Sequence, residues 1–296
     1  NKMSGILCSF SSKQTNKYRF TEIISSSLVG RQYIVDSRCS NGFNIGLVST
    51  PGSSASVEIC KENNLLIYVD GYFVDAFKTK KTSAHWFLEK YLEKGQNCIS
   101  ELNGSFNILI NDLDSDEVLI ATDRYGTRRL FYVPDDGGLS VAYRAELLVQ
   151  QGLVKKKLNQ NMIANMLSHS RIWANDQTFY KGINLLPARS IIKWSIDKGV
   201  SISEYSITSL FKDTKPSIKG LAKILKEVVS DFEELPNVGL SLSGGLDSRL
   251  LLAAGFKGHT FTWGYRKDND EIKLAEDCAI ATNNPWNFIH LTPDSF

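Results

Sequence analysis

The sequence predicts an α+β unit followed by an α/β unit, and three observations carry that reading. Through the first two-thirds of the 296 residues, apolar and polar positions alternate in short runs with turn-forming clusters between them, the pattern of antiparallel strands. A polar, interrupted stretch, Lys212-Asp213-Thr214-Lys215-Pro216-Ser217, then breaks that texture. Beyond it, strand-like and helical segments take turns, as they do in parallel βαβ units.

In the first unit, Gly5 to Phe10 forms a short, mostly apolar run that encloses Cys8, read as a core cysteine. Between Thr82 and Lys94 the apolar residues Phe87, Leu88, Tyr91 and Leu92 recur at helical spacing, with Ser83 as the expected N-cap. Phe106, Ile108 and Ile110 share one face of a strand, Asp112 to Asp116 turns, and Val118 to Thr122 returns as a hairpin. A second hairpin pairs Leu130–Val133 with Leu139–Tyr143 around Pro134-Asp135-Asp136-Gly137-Gly138. In the second unit, Ile218, Leu221, Leu225, Val228, Val229 and Phe232 make a helical stripe that ends before Pro236. Strands at Val238–Leu242, Thr260–Tyr265 and Asn287–Leu291 then alternate with helices from Asp247 to about Ala254 and from Glu271 to Thr282. Three strands are fewer than the roughly five or six of an average sheet, so the second unit reads as shortened or incomplete.

Composition excludes several classes. Hydrophobic residues at 42% and charged residues at 22% are ordinary for a globular chain. Lys plus Arg at 34 against Asp plus Glu at 32 leaves no broad basic surface for nucleic acid. Five scattered cysteines without a C-x-x-C pair indicate neither a disulfide framework nor a zinc knuckle, so a reducing, cytoplasmic compartment is expected. No run approaches the length of a membrane span or signal core, so no membrane contact and no targeting segment are expected. The four histidines, His85, His169, His259 and His290, show no metal-ligand spacing.

The chemistry concentrates in Ser243-Gly244-Gly245-Leu246-Asp247-Ser248, set between a strand and a helix. Paired glycines free the backbone to approach an anion, and the following helix adds the positive end of its dipole. The serine hydroxyls add donors. Asp247 would repel a bare phosphate and suits a magnesium ion that accompanies a nucleotide. No lysine follows Gly245, which excludes the Walker-type loop.

This segment resembles the signature of ATP pyrophosphatase (PP-loop) enzymes, and its flanks resemble the asparagine synthetase branch. The resemblance implies a partial PP-loop domain over residues 216–296 that binds ATP and Mg2+ and cleaves between the α- and β-phosphates. It implies that Ser243, Gly244, Gly245 and Ser248 hold the β- and γ-phosphates, that Asp247 coordinates magnesium, and that backbone near Ser241 and Trp263 meets adenine. Glu271 matches an acidic position of the family, yet a carboxylate in a first helical turn also complements the dipole, and it is read as capping.

Upstream, Asn103-Gly104-Ser105-Phe106, Ala121-Thr122-Asp123-Arg124-Tyr125-Gly126-Thr127-Arg128-Arg129-Leu130-Phe131-Tyr132, Tyr180-Lys181-Gly182-Ile183 and Leu186-Pro187 resemble segments of the class II glutamine amidotransferase domain. That likeness implies an Ntn-hydrolase-like αββα sandwich over residues 3–205. Asp123 and Arg124 are assigned to holding a turn. The family's nucleophilic N-terminal cysteine stands here as Ser4, its oxyanion-hole Asn-Gly as Asp70-Gly71, and its amine-gripping aspartate as Ala84. A hydroxyl is a poorer nucleophile, a carboxylate opposes an oxyanion, and alanine binds no ammonium. The implied glutaminase is therefore inactive, as in β-lactam synthetase and lasso-peptide cyclases. The implied partners are a small-molecule carboxylate with an amine or ammonia, and a second copy in a homodimer. Serine-type amidohydrolysis at Ser4 and a non-catalytic nucleotide-sensing or partner-binding module stay open as alternatives.

Overall fold

A computed structural model of the protein describes residues 4–11, 22, 24–25, 28, 32–40, 43–51, 55–135, 138–170, 176–207, 217–233 and 238–293. The expected unit boundary within 208–216, the start at residue 3, the hairpin tip at 136–137 and the helix stop at Pro236 lie outside the described residues. The chain divides into two compact units, Asn1–Phe211 and Lys212–Phe296.

The first unit holds strands β1 (Gly5–Ser11), β2 (Tyr33–Ser40), β3 (Phe43–Ser49), β4 (Ser56–Cys60) and β5 (Leu65–Phe73), then helices α1 (Val74–Lys78) and α2 (Ser83–Lys94). Strands β6 (Gly104–Asp112), β7 (Glu117–Thr122), β8 (Phe131–Asp135) and β9 (Gly138–Ala142) follow, with helices α3 (Ala145–Gln150) and α4 (Gln160–His169). It closes with β10 (Asn184–Leu185), β11 (Ser190–Ser195) and β12 (Gly199–Glu204). These build two six-stranded sheets in the orders β10-β8-β9-β1-β3-β2 and β12-β11-β7-β6-β5-β4. Every pairing within them is antiparallel.

The two-residue period of a strand explains how one segment serves two cores. Leu66 and Tyr68 of β5 join Ile6, Cys8, Phe10 and Ile45 in a core shared by the two sheets. Leu65, Ile67, Val69 and Phe73 point the other way and pack with Trp86, Phe87 and Leu88 of α2. Burial on both faces is why Leu65-Leu66-Ile67-Tyr68-Val69 reads as a continuous apolar run rather than an alternation. The N-cap of α2 is Thr82, whose side chain accepts from the His85 N–H, and not Ser83, which is the first helical residue. Both serve the same chemistry, so sequence alone left the position one residue adrift.

The second unit runs α5 (Ile218–Glu233), β13 (Gly239–Ser241), α6 (Leu246–Ala253), β14 (His259–Gly264), α7 (Asp270–Ala281) and β15 (Trp286–His290). Its three strands are parallel, in the order β13-β14-β15. A small core gathers Val229, Leu240, Leu242, Leu252, Phe256, Ala275 and Ala279. The sheet is one-sided: Thr260 and Thr262 of β14 are buried, whereas Trp263 and its ladder partner Ile289 are exposed. The stripe of α5 is helical as expected, but Val229 is its buried residue, while Ile218, Leu221, Ile224 and Val228 are exposed.

The turn after β7 is fixed by one carboxylate. Asp123, almost completely buried, accepts from the N–H groups of Phe106 (3.2 Å), Tyr125 (2.9 Å) and Thr127 (3.1 Å) and from the Thr127 hydroxyl. Its backbone bonds Phe106 and Arg189 in turn, at 3.0 Å each. Arg124 donates to the Leu102 carbonyl at 3.3 Å. This is the turn-holding assignment made for Asp123 and Arg124, here with its partners. Replacing Asp123 by alanine strands one buried and two part-buried N–H donors, so Asp123→Ala is expected to lower stability by about 1–3 kcal/mol in urea unfolding, with an unchanged m-value.

Candidate functional site

Two places carry the sequence-predicted residues, one in each unit. In the first, β-strand alternation puts Ser4, ahead of β1, and Asp70, on β5, on the same side as Ile6 and Tyr68, at the edge of the inter-sheet core. The Ser4 hydroxyl donates to Asp70 Oδ1. Arg128 Nη1 donates to the same Oδ1 at 2.8 Å and to Ser4 Oγ at 3.0 Å. Asp70 is 1% exposed. Burial pushes its carboxyl above the ordinary range, against the opposing pull of the Arg128 charge and the Ser4 hydroxyl.

Gly71 makes room for this network. Its φ of +127° lies in the region that favours glycine, and a Cβ there would stand 2.0 Å from the Ser105 carbonyl and 2.8 Å from Arg128 Nε. Ala84 is not part of the cluster: it is fully buried in the core beneath α2, with Ile67 and Phe87. Cys8 is fully buried in the inter-sheet core, where desolvation pushes its thiol far above the ordinary range. It is a core residue.

Sequence reasoning grouped Ser4, Asp70 and Ala84 and passed over Arg128 as a structural position. The available signal was Asp70 itself. A carboxylate inside an apolar strand needs a buried cation or donor, and arginine meets it best.

In the second unit, Ser243-Gly244-Gly245 leaves the carboxyl end of β13 and opens α6. The Ser243 N–H donates to Ser248 Oγ at 3.0 Å, Ser248 Oγ donates to the Ser243 carbonyl at 3.1 Å, and the Gly245 N–H donates to Ser243 Oγ at 3.1 Å. The two serines thus brace the loop from within. No side chain caps α6, which leaves its first-turn amides available to an anion.

Neither glycine has a positive φ. Gly244 is required for another reason: a Cβ there would meet the Glu271 carbonyl at 2.9 Å and its Cγ at 3.0 Å, so the loop lies directly on the first turn of α7. Beside the loop, a cleft of about 480 Å³ is lined by Ser241, Ser243, Trp263, Tyr265, Arg266 and Glu271, among others. Trp263 is 51% exposed, so it is not a core aromatic. Asp247 is exposed in the first turn of α6, and no three metal-ligating side chains cluster among the described residues. The anion cradle fits a phosphate chain. Asp247 fits a magnesium ion only as one ligand among phosphate oxygens and water.

Two family models match parts of the chain. A glutamine amidotransferase domain model matches residues 74–206 and an asparagine synthase model matches residues 221–296. "Asparagine synthetase [glutamine-hydrolyzing] 3" of Bacillus subtilis (strain 168) is 24% identical over 216 residues, 67% of this chain and 34% of that protein. The chain is therefore similar to the asparagine synthetase family over both of these regions.

Among solved structures, the glutamine phosphoribosylpyrophosphate amidotransferase from B. subtilis, complexed with ADP and GMP, is 12% identical with a TM-score of 0.43. That alignment covers 98% of this chain and 69% of the amidotransferase. A structure described as the allosteric regulatory enzyme of purine biosynthesis gives 13%, a TM-score of 0.47, and 98% and 68% coverage. The chain spans about a third of the length of the curated relative it matches. No helix among its described residues is long and apolar enough to cross a membrane.

The buried pair of Asp70 and Arg128 makes a pH prediction. Folded Asp70 holds its proton more tightly than the unfolded chain does, so its contribution to stability is fully present below the ordinary carboxylate value of 3.8 and is lost as pH rises through Asp70's raised value. Removing the guanidinium raises that value further. Arg128→Met is therefore expected to deepen and extend the fall, and Asp70→Asn to abolish it, in denaturation midpoints recorded across pH. Identical pH profiles for Arg128→Met and the native chain would contradict the pairing.

Proposed function

We propose that the protein is an ATP-dependent amide-bond-forming ligase of the asparagine synthetase type. The reading rests on one observation: a diglycine loop leaves the carboxyl end of a parallel strand, opens an uncapped helix and borders a cleft. The first-turn amides of α6 and its dipole would hold the pyrophosphate portion of ATP, with Asp247 as a magnesium ligand. Bound magnesium supplies neutralisation of the triphosphate charge. A substrate carboxylate then attacks the α-phosphorus to give an acyl-adenylate and pyrophosphate, and an amine attacks the acyl carbon and releases AMP. Trp263 and Ser241 line the cleft where adenine would sit.

The amine donor is the second element of the proposal. Ser4 is bound to Asp70 and Arg128, and the carboxylate of Asp70 stands where the amidotransferase family places an amide. This network favours a glutaminase-silent first unit, with ammonia or an amine of the substrate itself as nucleophile, as in β-lactam synthetase and lasso-peptide cyclases. The proposed setting is cytoplasmic, with small-molecule substrates and a homodimer, without nucleic acid or membrane.

With ATP, magnesium and a panel of carboxylates and amines, the protein is expected to release pyrophosphate and AMP in equal amounts. Gly244→Ala, which drives a methyl group against the Glu271 main chain, should lower that release roughly 100-fold by displacing the loop. Failure to bind or cleave ATP would instead support a non-catalytic module. Glutamine is expected to yield no glutamate with the native chain or with Ser4→Cys; glutamate release by the native chain would establish Ser4 as a serine-type nucleophile.

A further inference from the structure

The segments Asp123–Leu130 and Leu185–Ala188 converge on a second cleft, of about 370 Å³, that the ligase reading does not use. Its walls are fixed. Asp123 clamps the turn at Tyr125 and Thr127, the Leu186 N–H bonds the Leu130 carbonyl at 2.8 Å, and the Thr122 hydroxyl bonds the Pro187 carbonyl at 2.9 Å. Gly126, at φ +61°, sits so close to Ala188 that a Cβ would be 3.3 Å from its Cα. Rigid walls of this kind make a preformed pocket.

The cleft carries one unanswered charge. The neighbouring arginines of the pair are used oppositely: Arg128 is spent on Asp70, while Arg129 lines the cleft. Arg38, Arg128, Arg144 and Arg189 each lie beside a carboxylate. Arg129 has no ion pair or hydrogen bond among the described residues. Glu204, the carboxylate of the cleft wall, is 3.5 Å from Arg189, which offsets part of its charge. Tyr125, 76% exposed, and Pro187 also line the cleft and give it apolar surface.

We propose that this cleft binds a small organic anion, a carboxylate or phosphate ester on a flat apolar body, with its acidic head at Arg129 and its body against Tyr125 and Pro187. The guanidinium offers paired N–H donors to either head group. The phenol ring and the proline give a flat body a stacking surface that a hydrated inorganic ion does not need. The site is independent of the nucleotide loop.

The test titrates the full chain with benzoate, phenyl phosphate, acetate and inorganic phosphate, followed by calorimetry and by NMR shifts of residues 124–130. Benzoate and phenyl phosphate are expected to saturate with Kd on the order of 1 mM, a small part of the affinity a buried ligand reaches. Whichever aryl anion binds more tightly identifies the head group, carboxylate or phosphate. Arg129→Gln should weaken both about tenfold, the effect of one charge-assisted contact, while Arg129→Lys keeps part of the affinity. Tyr125→Ala should weaken the aryl anions and leave acetate and phosphate unchanged. Both side chains are exposed, so these variants should keep the native melting temperature. Absence of saturable binding, equal affinity for acetate and benzoate, or an Arg129→Gln variant that binds like the native chain would each overturn the proposal.

Discussion

The carboxylate of Asp123 is the constraint on which the first unit depends. It gathers donors from β6 and from its own turn, and its main chain bonds β6 and the entry to β11. A carboxylate that accepts several N–H bonds in a buried place organises backbone that would otherwise be costly to desolvate. Because that turn is held, the two arginines that follow leave it in defined directions. Arg128 reaches the inter-sheet core and Arg129 faces a cleft on the surface.

The Ser4, Asp70 and Arg128 network shows how a change of one residue type propagates. An acid on an apolar strand is expensive to bury alone, and an arginine beside it repays part of that cost while satisfying a hydroxyl. The glycine after the acid is then fixed too, since any side chain at 71 would occupy the space of the guanidinium. The arrangement is a packed polar cluster, with its hydroxyl engaged from two sides. That differs from a nucleophile poised for attack, which needs a free base and access.

In the second unit the electrostatics come from backbone rather than from charged side chains. Ser243 and Ser248 brace each other, the first turn of α6 is left without a side-chain cap, and Gly244 lets the loop rest on α7. Two strand ends and the start of α7 therefore line one cleft beside the loop. The parallel sheet beside it is buried on one face, and the apolar side of α5 is largely exposed, in contrast to the two-sided burial of the central strand β5 in the first unit.

The sequence by itself determined the two hairpins, the alternation of strands and helices in the second unit and the loop at 243–248, because hydrophobic period and turn chemistry are local properties of the chain. Helix α2 was legible from Phe87, Leu88, Tyr91 and Leu92, although its cap fell at Thr82. Tertiary structure alone decided the rest. It paired Asp70 with Arg128 across 58 residues, placed Ala84 in a separate core, and turned Trp263 out to a cleft. It also gave Gly244 its reason in the approach of Glu271 rather than in a left-handed φ. The physical ground is the same in each case: desolvation and close packing depend on which distant side chains share a volume, and local pattern carries no record of that.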